Sequence, residues 1–148
     1  MKNDKYELEN IMRRWQKLLR LFHYDIKLET VNSKWRKSGD IKIDDCNRQA
    51  VLMVNTFNPS VKNTEEVIIH ELLHLRLWDL DQLTESLINN IYGENEDDPK
   101  REVIYTEFMK KLESTTQEIT KTLVELGADD KDIGFSYVEK EVEKEIKG

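Results

Sequence analysis

The sequence predicts an α+β domain: a three-stranded, mostly antiparallel sheet packed on a buried helix, a second helix close behind it, and a long C-terminal helix. Three observations predict it. Between residues 24 and 44, apolar and polar residues alternate in two short runs, the period of half-buried strands, and residues 49 to 57 hold a third, nearly continuous apolar run. From residue 63 onward the period becomes helical, punctuated by Gly93, Pro99 and Gly127. The chain has 148 residues, 38% hydrophobic and 36% charged, enough for one domain with a modest core under a charged surface.

The first helix covers residues 5 to 22. Ile11, Trp15, Leu18, Leu19 and Phe22 recur at helical spacing, with Arg13, Arg14, Lys17 and Arg20 between them. The short apolar stripe on an acidic chain favours a helix covering the core over one lying on a membrane. Tyr24 to Thr30 then alternates as a strand, and His23 before it reads as structural. Asn32 to Gly39 is a polar loop carrying Trp35, and Asp40 to Asp44 alternates again through Ile41 and Ile43. Asp45-Cys46-Asn47 turns the chain into a third strand, Gln49 to Phe57. Its run Ala50 to Asn55 is nearly continuously apolar, which predicts cover on both faces. Short loops between the strands favour an antiparallel meander.

Asn63 is the predicted cap of the next helix, with Glu66 at the capping-box position. From there to about Trp78 the residues are apolar nearly all round, as in a buried helix. Asp79-Leu80-Asp81 reads as a turn into a helix from Asp81 to Tyr92, stopped by Gly93. After the acidic loop Glu94 to Asp98, Pro99 opens a helix that runs to about Leu126 and ends at Gly127. Ile104, Phe108, Leu112, Ile119, Leu123 and Leu126 are its predicted buried stripe. Residues 1–127 form the predicted domain. Residues 128–148 are a charged segment in which Val138, Val142 and Ile146 define a marginal helix.

A net charge of −7 argues against a nucleic-acid partner, and Lys34, Arg36 and Lys37 read as a solvated loop. No run of eighteen apolar residues exists, so no membrane span is expected. Met1-Lys2-Asn3-Asp4-Lys5 is polar and leads into no apolar segment, which makes the cytoplasm the default compartment. Cys46 is the one cysteine, an ordinary free thiol that excludes a disulfide framework and a four-cysteine zinc site.

The chemistry is concentrated in His70-Glu71-Leu72-Leu73-His74. Residues four apart share a helix face, so His70 and His74 can offer two imidazoles to one metal ion. Glu71 is placed to take a proton from water on that ion, the H-E-x-x-H arrangement of zinc peptidases. Two histidines and a glutamate in a buried helix need partners, and one ion satisfies all three. If the helices flanking residues 79–81 form a hairpin, Glu85 faces His74 and becomes the third ligand. Asn89 then lies one turn further on, available to hydrogen-bond a ligand. Asp79 and Asp81 are the rivals, their alternative roles being turn formation and capping.

The strands followed by Glu66-Val67-Ile68-Ile69-His70-Glu71-Leu72-Leu73-His74-Leu75, then Leu80-Asp81, then Glu85-Ser86-Leu87-Ile88-Asn89, resemble small zinc metallopeptidases of phages and prophages. These belong to the zincin group with glutamate as third ligand and are similar in outline to ImmA/IrrE and SprT-like domains. The resemblance spans roughly residues 20 to 92. It implies a minimal zincin core: a small sheet, an active-site helix and a glutamate-bearing helix. It implies His70, His74 and Glu85 as ligands of Zn2+, Glu71 as general base, and a peptide or protein substrate. The chain departs from SprT-like proteins in lacking a zinc ribbon and a basic surface.

On this reading zinc brings the pKa of its water to about 7 and Glu71 accepts the proton. An extended substrate would lie along Ala50 to Asn55, the candidate edge strand. Tyr92, Tyr105, Tyr137 and Arg76 are candidates for supporting the oxyanion. Two other readings compete: a metal-stabilised interaction module without turnover, such as a phage or host accessory protein, and a helical structural protein whose histidines are satisfied by hydrogen bonds.

Overall fold

The computed structural model describes residues 4–148. Met1, Lys2 and Asn3, on which part of the reading of the N-terminus rests, lie outside them. The elements run α1 (Lys5–Leu18), β1 (Asp25–Val31), β2 (Gly39–Asp44), β3 (Gln49–Asn55), α2 (Thr64–Arg76), α3 (Trp78–Tyr92), α4 (Pro99–Gly127) and α5 (Ser136–Lys147). The class is α+β, as the sequence predicts. No helix among these residues is long and apolar enough to cross a membrane.

The sheet is mixed, not a meander. Its order is β1-β3-β2, with β3 central, parallel to β1 and antiparallel to β2. The loop from Asn32 to Ser38 carries the chain across the end of β3 to the opposite edge. Two strand spacings are under about 10 Å, within reach of seven residues. Asn55, fully buried at the end of β3, holds that crossing. Its Nδ2 donates to the carbonyls of Trp35 (3.3 Å) and Lys37 (2.8 Å), and its Oδ1 accepts from the amides of Phe57 and Asn58. The strand expected at the edge, Ala50 to Asn55, is therefore the middle one, and β2 is the edge beside α2.

Register stacks the apolar residues on one face. Ile26, Ala50 and Ile43 stand in one row, and Leu28, Leu52 and Ile41 in the next. Ala50, Leu52 and Val54 are buried while Val51 and Met53 are only partly covered, so β3 is covered on one face and not on both. Against that face pack Leu8, Met12 and Trp15 of α1 and Ile68, Ile69, Leu72, Leu73 and Leu75 of α2. Only Gly fits at position 39, in the row beyond Leu52. A β-carbon there would collide with the side chain of Val67 and sit 3.2 Å from the Met53 carbonyl and 3.3 Å from Cγ of Glu71. The start of β2 is thus pressed against the turn of α2 that carries Glu71.

Asn63 caps α2 by accepting from the amides of Glu65 and Glu66. The other half of the expected capping box is not made, because Glu66 turns toward α4 instead. α2 is buried nearly all round, as its composition predicts. The turn expected at residues 79–81 is absent. Leu77 closes α2 and α3 begins at Trp78, so one residue joins the helices where a hairpin needs a loop of about two to five. With no room to reverse, α3 leans chiefly on α4, and α4 is the helix that packs along α2.

α4 has the predicted bounds, with Asp98 capping the amides of Lys100 and Arg101. Its inner face differs from the predicted stripe. Arg101, Thr116, Thr120 and Val124 are buried, whereas Ile104, Ile119 and Leu126 are exposed. Arg101 reaches Asn89 of α3, while Glu113 and Gln117, on another part of the helix, meet the histidines of α2. The terminal segment forms a helix, as expected. It packs on no other helix or strand among the described residues, leaving Val138, Val142 and Ile146 exposed.

Candidate metal centre

Burial of Val67, Ile68, Ile69, Leu72 and Leu73 fixes the rotation of α2. That rotation brings His70 and His74 to the same side, facing a cleft of about 580 Å3 bounded by β2, α2 and α4. Nε2 of His74 is 3.2 Å from Nε2 of His70. The third group at this point is Glu113 of α4, with Oε1 2.9 Å from His70 Nε2 and Oε2 3.1 Å from His74 Nε2. These three residues form a group able to hold a metal ion.

The donor chemistry fits an ion. Three ligands bound tetrahedrally at about 2.0–2.1 Å are separated from one another by roughly 3.3 Å. The observed 2.9–3.2 Å is close to that value. Nδ1 of His70 lies 2.8 Å from Oε1 of Gln117, an oxygen that only accepts, so the contact is a hydrogen bond when this nitrogen carries the proton. A neutral His70 then presents a bare lone pair at Nε2 to a carboxylate and a second imidazole. A proton or a metal ion held between them relieves that arrangement.

The electrostatics follow. Burial works against protonating His70, but the hydrogen bond and charge of Glu113, aided by Glu71 and Gln117, outweigh it and raise the His70 pKa. The hydrogen bonds from His70 and His74 hold the Glu113 carboxyl far below the usual carboxylate range. Glu71, buried at the cleft wall, is pushed up by desolvation, against the pull of His70 and His74.

Glu85 does not join the histidines. It sits on α3 and accepts from Gln82 Nε2 at 3.1 Å. It lines a neighbouring hollow with Tyr105 and Arg101, sharing only Met109 and Glu113 with the histidine cleft. The cause is the missing hairpin: α3 diverges from α2, and α4 fills the place opposite His74. Asn89, the candidate for steadying a ligand, instead receives Arg101 Nε and Nη2 at 3.1 and 2.8 Å. Asp79 and Asp81 lie in the first turn of α3; Asp79 is exposed, while Asp81 lines the histidine cleft. Tyr92, Tyr105, Tyr137 and Arg76 do not line it. His23 stacks edge-on against Tyr24, a structural contact. Lys37 pairs with Asp40 at the cleft rim at 3.2 Å.

Sequence reasoning missed Glu113 and Gln117. The available signal was a polar face at helical spacing on α4, comprising Glu113, Thr116, Gln117 and Thr120. Apolar periodicity drew attention to the other side of the helix. Comparison of the chain with family models, curated proteins and solved structures finds no match.

Proposed function

We propose that the protein is a zinc-dependent metallopeptidase of the H-E-x-x-H type, with a zincin-like core, in which His70, His74 and Glu113 hold the ion and Glu71 is the general base. One observation carries this reading: three donor atoms converge on one point of a cleft whose wall also presents Glu71, with its pKa raised. Two imidazoles and one carboxylate are a catalytic zinc set, which leaves a position open to water.

A zinc ion there supplies Lewis acidity, polarising a scissile carbonyl and easing deprotonation of water. The chain's own residues do the rest. Glu71 accepts the proton and passes it to the departing amine, and its raised pKa brings it nearer to a value suited to both steps. β2, the edge strand beside α2, offers backbone groups along which an extended peptide adds as a further strand. Ile41, Ile43, Trp78 and Met109 give the cleft apolar walls for substrate side chains.

The test is to load the full chain with Zn2+ and incubate it with an unstructured protein and a mixed peptide pool, reading new termini by mass spectrometry. Wild type should cut, and Glu71→Gln should retain stoichiometric zinc without cutting. Zinc bound by both with no cleavage by either would favour the non-catalytic interaction module. Equal cleavage by both would remove Glu71 and this site from the reaction.

A further inference from the structure

Glu66 is the buried charged group that the peptidase reading leaves without a task. It is 3% exposed, four residues before His70 on α2, and borders the cleft. Its Oε1 accepts from Gln117 Nε2 at 2.9 Å. Oε1 of that same amide lies 2.8 Å from His70 Nδ1. The other oxygen of Glu66, Oε2, has no hydrogen-bond partner among the described residues. A buried carboxylate is thus held for a single directional contact to one amide.

We infer that Glu66 and Gln117 form a positioning relay that sets the tautomer of His70. Burial raises the Glu66 pKa, and above that pKa the ionised carboxylate only accepts, so it compels Gln117 to turn its NH2 toward Glu66. The amide's carbonyl oxygen must then face His70, and an oxygen there requires the proton on Nδ1. The lone pair of His70 is thereby placed on Nε2, the nitrogen that points at His74 and Glu113. Were the amide turned over, its NH2 would face Nδ1 and drive the proton to Nε2, blocking that donor. The side chain that orients the ligand is itself oriented by a carboxylate one step further out. Gln117 and Glu66 are positioning residues, reaching the centre only through His70. The purpose of the relay rests on the metal-centre reading above; its effect on the tautomer does not.

The test has two arms on the full chain. In the first, metal is stripped from a Glu113→Ala background, which removes the carboxylate that would otherwise hold a proton on His70 Nε2, and the histidine ring nitrogens are labelled with 15N. Long-range proton–nitrogen correlations are recorded at a pH above which the ring shifts no longer change. With Glu66 and Gln117 intact, His70 in this background should be the Nδ1–H tautomer. Gln117→Leu should shift His70 toward Nε2–H. The exchange variant Glu66→Gln/Gln117→Glu keeps one acceptor on His70 and one donor behind it, and should restore Nδ1–H. An Nε2–H tautomer with Glu66 and Gln117 intact overturns the relay, as does a folded Gln117→Leu with an unchanged tautomer.

In the second arm, Zn2+ alone is titrated in competition with a chromophoric chelator. Gln117→Leu should bind about 10- to 100-fold more weakly, the usual effect of losing a group that orients a ligand. The exchange variant should recover most of the loss. If wild type binds no zinc while the tautomer results hold, the relay stands and the metal centre falls. If zinc binds with equal affinity in wild type and folded Gln117→Leu, the relay is overturned and the metal centre survives.

Discussion

Oε1 of Glu113 lies 2.9 Å from Nε2 of His70, and the two residues come from different helices, α4 and α2. This pair decides which carboxylate completes the donor set, and it ties the candidate centre to the packing of the longest helix in the fold.

Zinc affinity should therefore follow Glu113 and not Glu85. Glu113→Ala should weaken binding by about tenfold or more, at least the cost of losing a supporting group. Glu85→Gln should leave it within about twofold. Chelator competition measures both, and the opposite ranking would restore Glu85 as the third ligand.

Without metal, the same pair should leave a signature in stability against pH. The His70 pKa is raised from an ordinary 6.5, so its share is full below that value and is lost as pH rises through the folded-state pKa. The Glu113 pKa is lowered from an ordinary 4.5, so its share is present above that value and is lost as pH falls through the folded-state pKa. The Tm advantage of metal-free wild type over Glu113→Gln should peak between 4.5 and 6.5 and shrink on both sides. A difference independent of pH would mean that the carboxylate and the imidazoles do not interact.

A second buried carboxylate has a structural task. Glu65, 2% exposed, accepts from Trp15 Nε1 at 2.7 Å and from the amides of Asp129 (2.9 Å) and Asp130 (3.2 Å). It joins α1, α2 and the segment after α4. Glu65→Ala orphans these three donors at about 1–3 kcal/mol each where they stay dry, so a loss of about 3 kcal/mol or more is expected. Urea unfolding reads the loss, and Trp15 emission should move to the red. An unchanged midpoint would rule out the tie.

Gly39→Ala should be costly out of proportion to one methyl group. Its new carbon meets the side chain of Val67, the Met53 carbonyl and Cγ of Glu71, so α2 or β2 must shift, at about 1–3 kcal/mol. The control is Gly134→Ala, where a β-carbon meets nothing within 4 Å and the urea midpoint should not move. Equal stability of the two variants would show that the approach of β2 to α2 is loose.

The order and type of the elements were legible in the chain because they depend on local signals. Period-two runs marked β1 and β2, a nearly continuous apolar run marked β3, Asn63 and Asp98 marked helix starts, and Gly93 and Gly127 marked helix ends. The spacing of His70 and His74 was equally local, since one helical turn brings four-apart residues together. Tertiary structure decided what local period cannot encode. Asn55 anchors the loop that carries β2 past β3, which made the sheet mixed and moved its edge. A single-residue junction at Leu77 left α2 and α3 no room to fold back, so α4 met the histidines in place of α3. Glu113 and Gln117 stand on a polar face of α4 that a search for apolar stripes passes over. They acquire partners only when the helices pack, because a side chain's role at a junction of helices depends on what lies across from it.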